Sequence, residues 1–158
     1  FIGHWEPTTQ RNIEGLINAK VDVSVWGSHW RWRALKMKGN HMIRPIERED
    51  YPKMIASSKI GLGFLSKWNK NQSAGRIFEI PALGSFLLAE RTQQNTSYFK
   101  EGVEADFFSS REELIEKAKY YLEHDDQRSA IAQAGHKRCM ASPYTIKDRV
   151  EKMMTDIE

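Results

Sequence analysis

The residues best suited to chemistry lie in the stretch 69–90, where a polar loop leads into a short helical pattern. Gly75 and Arg76 open that pattern, and Glu79 follows three residues later. The first turn of a helix carries backbone N–H groups without partners and the positive end of the helix dipole, so it favours anions. Arg76 adds a fork of donors that suits a diphosphate, and Glu79 could accept hydrogen bonds from a ribose diol. The spacing predicts a phosphate site, with a surface Arg76–Glu79 ion pair as the equally weighted alternative.

Two other strand ends carry candidate ligand-binding residues. Gly3 and His4 end the first predicted strand, where a close backbone approach and a polar side chain could meet a diphosphate or a sugar. Arg44 leaves another predicted strand. The alternatives are a His4 side chain that its local neighbours satisfy and an Arg44 side chain that solvent surrounds.

Aromatic and cationic side chains are interleaved in the segment 26–33. Such a mixture can stack nucleic-acid bases or sugars. The interpretation favoured here is instead a segment that covers the sheet edge or faces a second domain. The residues concerned are Trp26, His29, Trp30, Arg31, Trp32 and Arg33.

Extended and helical patterns alternate along the chain and must position these groups. Parallel strands need crossover connections, which are usually helices, so this order predicts an α/β fold with a Rossmann-like, doubly wound parallel sheet. In such sheets ligands bind at the carboxyl ends of the strands. Strands are predicted at 1–4, 21–26, 41–46, 59–65, 85–89 and 105–108, and helices at 8–19, 49–58, 75–83, 97–101, 110–122, 125–140 and 145–157.

Local signals mark several of these boundaries. Gly84 is placed as the C-terminal cap of the helix that contains Glu79. Ser110 with Glu113 forms a capping box, and a second one opens the tail helix at 145–148.

Length, charge and cysteine content limit the classes of protein to which the chain can belong. At 158 residues it suits one domain or one half of a two-domain enzyme, so a single unit over 1–158 is expected. A net charge of +3 does not by itself imply a nucleic-acid binder, and no apolar run approaches the roughly 18 residues of a membrane span. Cys139 is the only cysteine, which predicts a cytoplasmic protein and a buried, unreactive thiol.

The sequence lacks the motifs of several other kinds of functional site. The histidines show no short metal-ligand spacing and there is no second cysteine, so no metal site is predicted. Gly61-Leu-Gly63 lacks the third glycine of a dinucleotide fingerprint, and neither a Walker motif nor a nucleophile elbow is present.

One set of motifs points to a known family. The central motif is Arg76-Ile-Phe-Glu79-Ile-Pro-Ala-Leu-Gly84, followed by the strand 86–90, and the segments 99–108, 113–117, 120–122, 128–135 and 144–149 continue it. Together they resemble the C-terminal half of GT-B glycosyltransferases, and most closely the spore-maturation-protein-like branch. The opening segment 1–7 resembles the first strand of that half, so the likeness covers nearly the whole chain.

The resemblance implies that the chain binds a nucleoside-diphosphate sugar. It places Glu79 as the ligand of the donor ribose, Arg76 near the diphosphate as leaving-group stabiliser, and the loop after Arg44 near the base. Retaining relatives often carry a second glutamate eight residues before the first, whereas this chain has Asn71 there, which can still donate and accept hydrogen bonds. The implied donor-binding residues are Gly3, His4, Arg44, Asn71, Gly75, Arg76 and Glu79.

The resemblance also implies the partners and the reaction. A sugar passes from the donor to an unidentified acceptor, with no cofactor and no metal, while Arg76 and loop amides stabilise the departing diphosphate. An N-terminal acceptor domain is the implied partner, the tail helix at about 145–158 packs toward it, and this chain alone is not expected to be fully active. The rival hypotheses are a non-catalytic nucleotide-binding or protein-interaction module and, more weakly, a nucleic-acid binder that uses segment 26–33.

Overall fold

The computed structural model describes residues 1–30, 43–44, 47, 49–68, 71–144, 147–148 and 154–155, with the backbone alone at 43–44. Within these residues strands and helices alternate. In chain order the elements are α1 (Pro7–Asn18), β1 (Val25–Trp26), β2 (Ile43–Arg44), α2 (Tyr51–Ala56), β3 (Ile60–Gly63), α3 (Arg76–Ala82), β4 (Phe86–Glu90), α4 (Gln93–Tyr98), β5 (Asp106–Phe108), α5 (Arg111–Glu123) and α6 (Asp125–Ala141).

The strands pair in parallel, as the alternating pattern predicts. β4 lies between β3 and β5, with Leu88 opposite Leu62 on one side and Asp106 on the other. β1 pairs with β2, and Ile2 forms a parallel bridge with Trp26 of β1. These pairings confirm the parallel α/β fold.

β4 separates two hydrophobic clusters. Phe86 and Leu88 belong to the cluster that contains the apolar faces of α1 and α5. Leu87 and Ala89 belong to the cluster built with α3 and the end of α6. Because successive side chains of a strand point to opposite faces, helices cover both faces of the sheet. The helix residues concerned are Ile13, Leu16, Leu114 and Ala118 in the first cluster and Ile77, Ile80 and Cys139 in the second.

Two predicted helix boundaries are confirmed by their caps. Ser110 Oγ accepts a hydrogen bond from the Glu113 amide at 3.1 Å, and the Glu113 carboxylate accepts one from the Ser109 amide at 2.7 Å. Gly84 has a φ of 77° and follows Leu83, the C-cap residue of α3, in the left-handed conformation that glycine adopts without strain.

The helix predicted at 97–101 is wrong. The structure has α4 at Gln93–Tyr98 instead, because Thr92 caps it by accepting a hydrogen bond from the Asn95 amide at 3.0 Å. Phe99 then continues in extended conformation with its side chain buried in the core. The prediction misplaced this helix because it did not use Thr92 as a start signal.

Some predicted elements are shortened and others fall partly outside the described residues. Of the strand predicted at 21–26 only Val25–Trp26 pairs as a ladder, although Val21 and Val23 are buried. The described part of the strand predicted at 41–46 is Ile43–Arg44, and most of the tail helix predicted at 145–157 lies outside the described residues. None of the helices in the described ranges combines the length and apolar character needed to cross a membrane.

An ion network stabilises the end of the sheet at β5. The Arg91 guanidinium, just after β4, donates to the Glu113 carboxylate at 2.6 Å and to Glu101 at 3.1 Å. Lys117 lies 2.8 Å from the buried carboxylate of Asp106. Hydrogen bonding from Arg91 lowers the pKa of Glu113 to about 2.

We expect Arg91→Met to reduce stability in a pH-dependent way. Glu113 has an ordinary pKa of 4.5, so its lowered pKa gives stability that is present above pH 4.5 and is lost as the pH falls toward about 2. The variant should lose about 1 kcal/mol at neutral pH, since these side chains are partly exposed, and less near pH ~2.5. Thermal unfolding across this range measures the difference. The exposed Arg11→Met is the control, and a loss that is equal at every pH would contradict the prediction.

Candidate functional site

A polar cleft of about 650 Å³ opens beside the start of α3. It is bounded by the loop that follows β3 and by α4, the helix that follows β4, which places it at the carboxyl end of the sheet, where ligands of such folds bind. The lining residues are Asn71, Gln72, Ser73, Ala74, Gly75, Phe78, Glu79, Gln94, Tyr98 and Tyr144.

The loop 71–75 is fixed to the start of α4. Thr92 Oγ1 donates to the carbonyl of Gln72 at 2.7 Å, and the same hydroxyl caps α4. Ser73 Oγ is buried and has no hydrogen-bond partner among the described residues. A buried hydroxyl without a partner is uncommon in a folded protein.

Glu79 reaches the cleft from the first turn of α3. Buried Ile77 and Ile80 dock this helix on the sheet, and Glu79 stays on its exposed side. The Tyr51 hydroxyl donates to Glu79 Oε2. Oε1 lies over Gly75, 3.1 Å from the position that a β-carbon would take there. One carboxylate oxygen is thus held by a donor, and the other lies over the start of the helix.

Tyr51 is the residue at this site that the sequence analysis missed. The pattern predicts it only as an apolar position of a short helix. Burial and Glu79 raise the pKa of Tyr51, against the opposite effect of Arg76, so the hydroxyl stays protonated and able to donate. Nothing in the sequence links Tyr51 to Glu79, since the contact depends on how α2 and α3 pack.

Arg76 lies beside the cleft without lining it. It lines a narrow crevice together with Trp26 and Gly61, with the guanidinium carbon 5.8 Å from the centre of the Phe1 ring. Its Nε is buried without a hydrogen-bond partner among the described residues. Arg76 and Glu79, both described, form no ion pair with each other, so the alternative interpretation of their spacing is wrong.

Gly3 and His4 end the first extended segment, packed against the loop after β1. Gly27 has a φ of 136°, and a β-carbon there would lie 2.1 Å from the Gly3 carbonyl oxygen, so only glycine fits. His4 Nδ1 forms a hydrogen bond with Ser28 Oγ, and Trp30 Nε1 donates to the Gly3 carbonyl at 2.8 Å. His4 therefore has a local partner, and neither Gly3 nor His4 lines the cleft.

The remaining predicted site residues are distributed differently. Asn71 lies in the cleft-lining loop and is exposed. Arg44 pairs through its backbone with Trp26, and its side chain lies outside the described part of the structure. Trp30 is fully buried in the core, so its ring is not exposed to stack on a base or a sugar, whereas 31–33 lie outside the described residues. The structure therefore brings together Asn71, Gly75 and Glu79.

Glu90 connects the loop after β3 to the end of β4. Its carboxylate accepts hydrogen bonds from the Leu65 amide at 3.1 Å and from the Lys67 ammonium at 2.5 Å. Glu6 in turn accepts one from the Lys67 amide at 2.9 Å. These contacts fix the start of the loop that leads to the cleft.

Other parts of the described structure carry less chemistry. The described residues include no group of three or more His, Cys, Asp or Glu side chains placed to hold a metal ion. Cys139 is buried, and burial raises the pKa of its thiol to about 11, as expected for an unreactive side chain. A second cavity of about 550 Å³ beside β1 and β3 is mainly apolar, and none of the predicted site residues with a described side chain lines it.

The fold and the position of the cleft define the class of protein. Anabaena HepE, solved with UDP-glucose, superposes with a TM-score of 0.75 at 13% identity over 98% of this chain and 47% of its own. HepE solved with UDP superposes with a TM-score of 0.71 at 13% identity, over 98% of this chain and 48% of its own. A Listeria monocytogenes protein provisionally assigned as a UDP-N-acetylglucosamine 2-epimerase superposes with a TM-score of 0.60 at 17% identity, over 96% of this chain and 45% of its own. The chain has the fold of one half of a GT-B enzyme and spans about half the length of these structures.

The family follows from the sequence match. Residues 9–155 match the model of a family described as glycosyl transferase-like. The chain belongs to this family, which confirms the resemblance found in the motif around Arg76 and Glu79. A search of curated proteins finds no match.

Proposed function

We propose that this chain binds the nucleoside-diphosphate sugar donor of a glycosyltransferase that transfers the sugar to an acceptor. The observation that carries the proposal is the Glu79 carboxylate, which Tyr51 holds at the wall of a polar cleft at the carboxyl end of the sheet. Membership of the glycosyl transferase-like family supports it, as does the similarity of fold to HepE, which was solved with UDP-glucose.

Each residue has a stated role in the proposal. Glu79 accepts hydrogen bonds from the ribose hydroxyls and so fixes the position of the reacting carbon. Asn71, exposed in the loop that lines the cleft, offers polar contacts to the sugar. Gly75 leaves space above the helix start, where a side chain would crowd the Glu79 carboxylate.

Negative charge develops on the diphosphate as it leaves, and the chain's own groups would stabilise it. Arg76 lies beside the cleft and keeps its Nε donor without a partner among the described residues. A charged donor beside a developing charge is a strong stabilising interaction in a partly enclosed site. The proposed reaction therefore does not call for a metal ion.

The acceptor site and any general base are assigned to a further domain across the cleft. The similar structures are about twice the length of this chain, and in this proposal donor binding belongs to the half described here. The chain alone is then expected to bind donor without efficient turnover. A cytoplasmic location is proposed on the single, buried cysteine.

Calorimetric titration with UDP, GDP, ADP and TDP tests donor binding directly. We expect one nucleotide to bind in preference to the other three, because base contacts add to the diphosphate contacts that all four share. TDP carries 2′-deoxyribose and therefore lacks one of the two ribose hydroxyls that UDP, GDP and ADP present to Glu79. The variant Glu123→Gln, exposed at the end of α5, should bind as the wild type does. A folded chain that binds none of the four would contradict the proposal.

A further inference from the structure

Tyr51 and Glu79 lie on different helices, 28 residues apart in sequence. Tyr51 begins α2, which buried Ile55 docks against the core. A buried hydrogen bond from Ser85 Oγ to the Ile55 carbonyl, 2.7 Å long, ties the same helix to the start of β4. Because α3 is also docked by buried side chains, the tyrosine and the carboxylate are held on two fixed supports.

The Tyr51 hydroxyl limits what the Glu79 side chain can do. A glutamate on an exposed helix turn samples several rotamers, and ordering it on ligand binding has an entropic cost. A hydrogen bond to Oε2 selects one orientation of the carboxylate before the ligand arrives. Each carboxylate oxygen has two acceptor sites, so Oε2 can accept a second hydrogen bond while Oε1 stays available.

A ribose presents two neighbouring hydroxyl groups, and a carboxylate with a fixed plane can accept from both at once. We propose that Tyr51 is a positioning residue that holds the Glu79 carboxylate in the orientation that receives both ribose hydroxyls. The pair thereby makes the site selective for ribonucleotides over 2′-deoxyribonucleotides. This inference rests on the proposed function, since it assumes that the cleft binds a nucleotide.

The environment of Tyr51 suits this role. The side chain is half-buried, and its hydroxyl reaches the carboxylate of a residue that lines the cleft, while Tyr51 itself does not line it. Its action on the ligand therefore passes through Glu79. Since burial and Glu79 raise its pKa, Tyr51 remains a donor throughout the neutral range.

The test is a titration of UDP and 2′-deoxy-UDP into four chains: wild type, Tyr51→Phe, Glu79→Gln and the double variant. If the wild type prefers another base, the matching ribo- and deoxyribonucleotide pair is used. We expect the wild type to bind the ribonucleotide about tenfold more tightly, because the deoxyribonucleotide lacks one hydrogen bond to the charged carboxylate. Tyr51→Phe should reduce that ratio to about threefold or less. The double variant should have the same ratio as Glu79→Gln alone, because Tyr51 acts through the carboxylate that Glu79→Gln removes.

Tyr120→Phe is the matched control, because it removes a hydroxyl whose hydrogen bond, 2.6 Å to Gln127, lies on α5 and α6 away from the cleft. It should leave the ratio unchanged. If Tyr51→Phe keeps the wild-type ratio, or weakens both nucleotides equally, the positioning role is overturned while the proposed function stands. If the folded wild type binds no nucleotide, the proposed function fails and the positioning role with it.

Discussion

Glu79→Gln is expected to weaken the binding of the preferred nucleoside diphosphate by about 10- to 100-fold, because the side chain that accepts two hydrogen bonds from the ribose loses its charge. Glutamine keeps the size of the side chain and one acceptor oxygen, so α3 should stay docked through Ile77 and Ile80. It loses the negative charge, and its amide nitrogen would oppose one of the ribose hydroxyls. Glu79→Ala removes both acceptors and should reduce binding at least as far.

Calorimetry on both variants, beside the Glu123→Gln control, measures this effect. Glu123 ends α5, whose first residue follows the carboxyl end of β5, so the control charge lies toward the opposite end of the sheet from the cleft. Circular dichroism should show the same helix content in all three chains. Wild-type affinity in Glu79→Gln would mean that the nucleotide does not contact this carboxylate.

Gly135→Ala is expected to lower the free energy of unfolding by about 2–3 kcal/mol, the range for overpacking a close contact. Glycine to alanine inside a helix ordinarily raises stability by about 1 kcal/mol, so the expected sign is reversed. The reason is that Gly135 of α6 is buried against the Glu104 carbonyl. A β-carbon on Gly135 would lie 2.2 Å from that oxygen. Backbone atoms cannot rotate away as a side chain can, so α6 or the turn at 102–104 must move.

Chemical denaturation of the wild type and Gly135→Ala measures the change. Gln133→Ala, exposed on the same helix, is the control and should have a small effect of either sign. If Gly135→Ala is as stable as the wild type or more so, then α6 does not lie against the turn at Glu104 in solution.

Much of the fold could be predicted because local signals and tertiary structure agree. The apolar run at β4 indicates burial on both faces, and the structure places Phe86 and Leu88 in one cluster and Leu87 in the other. The Ser110 cap is a contact between residues three apart, which a sequence displays directly. Such features need no knowledge of distant partners.

The site could be predicted only in part, because its geometry depends on contacts between distant segments. The helix pattern and the family motif both indicate Glu79, and the structure places it at the cleft. The partner Tyr51 and the crevice that Arg76 lines arise from the packing of α2, α3 and the first extended segment. Neither has a local sequence signal, and the same holds for the contact of Thr92 with the loop 71–75.

The central claim is that the cleft beside Glu79 is a nucleoside-diphosphate site, and amide chemical-shift mapping tests it most directly. The isotopically labelled chain is titrated with the preferred nucleotide, and shifts are read residue by residue. We expect the largest changes at 71–75, at Glu79 and at Tyr51, which stands behind its carboxylate. Changes concentrated instead at 21–24 and 57–60, around the apolar cavity, would contradict the claim.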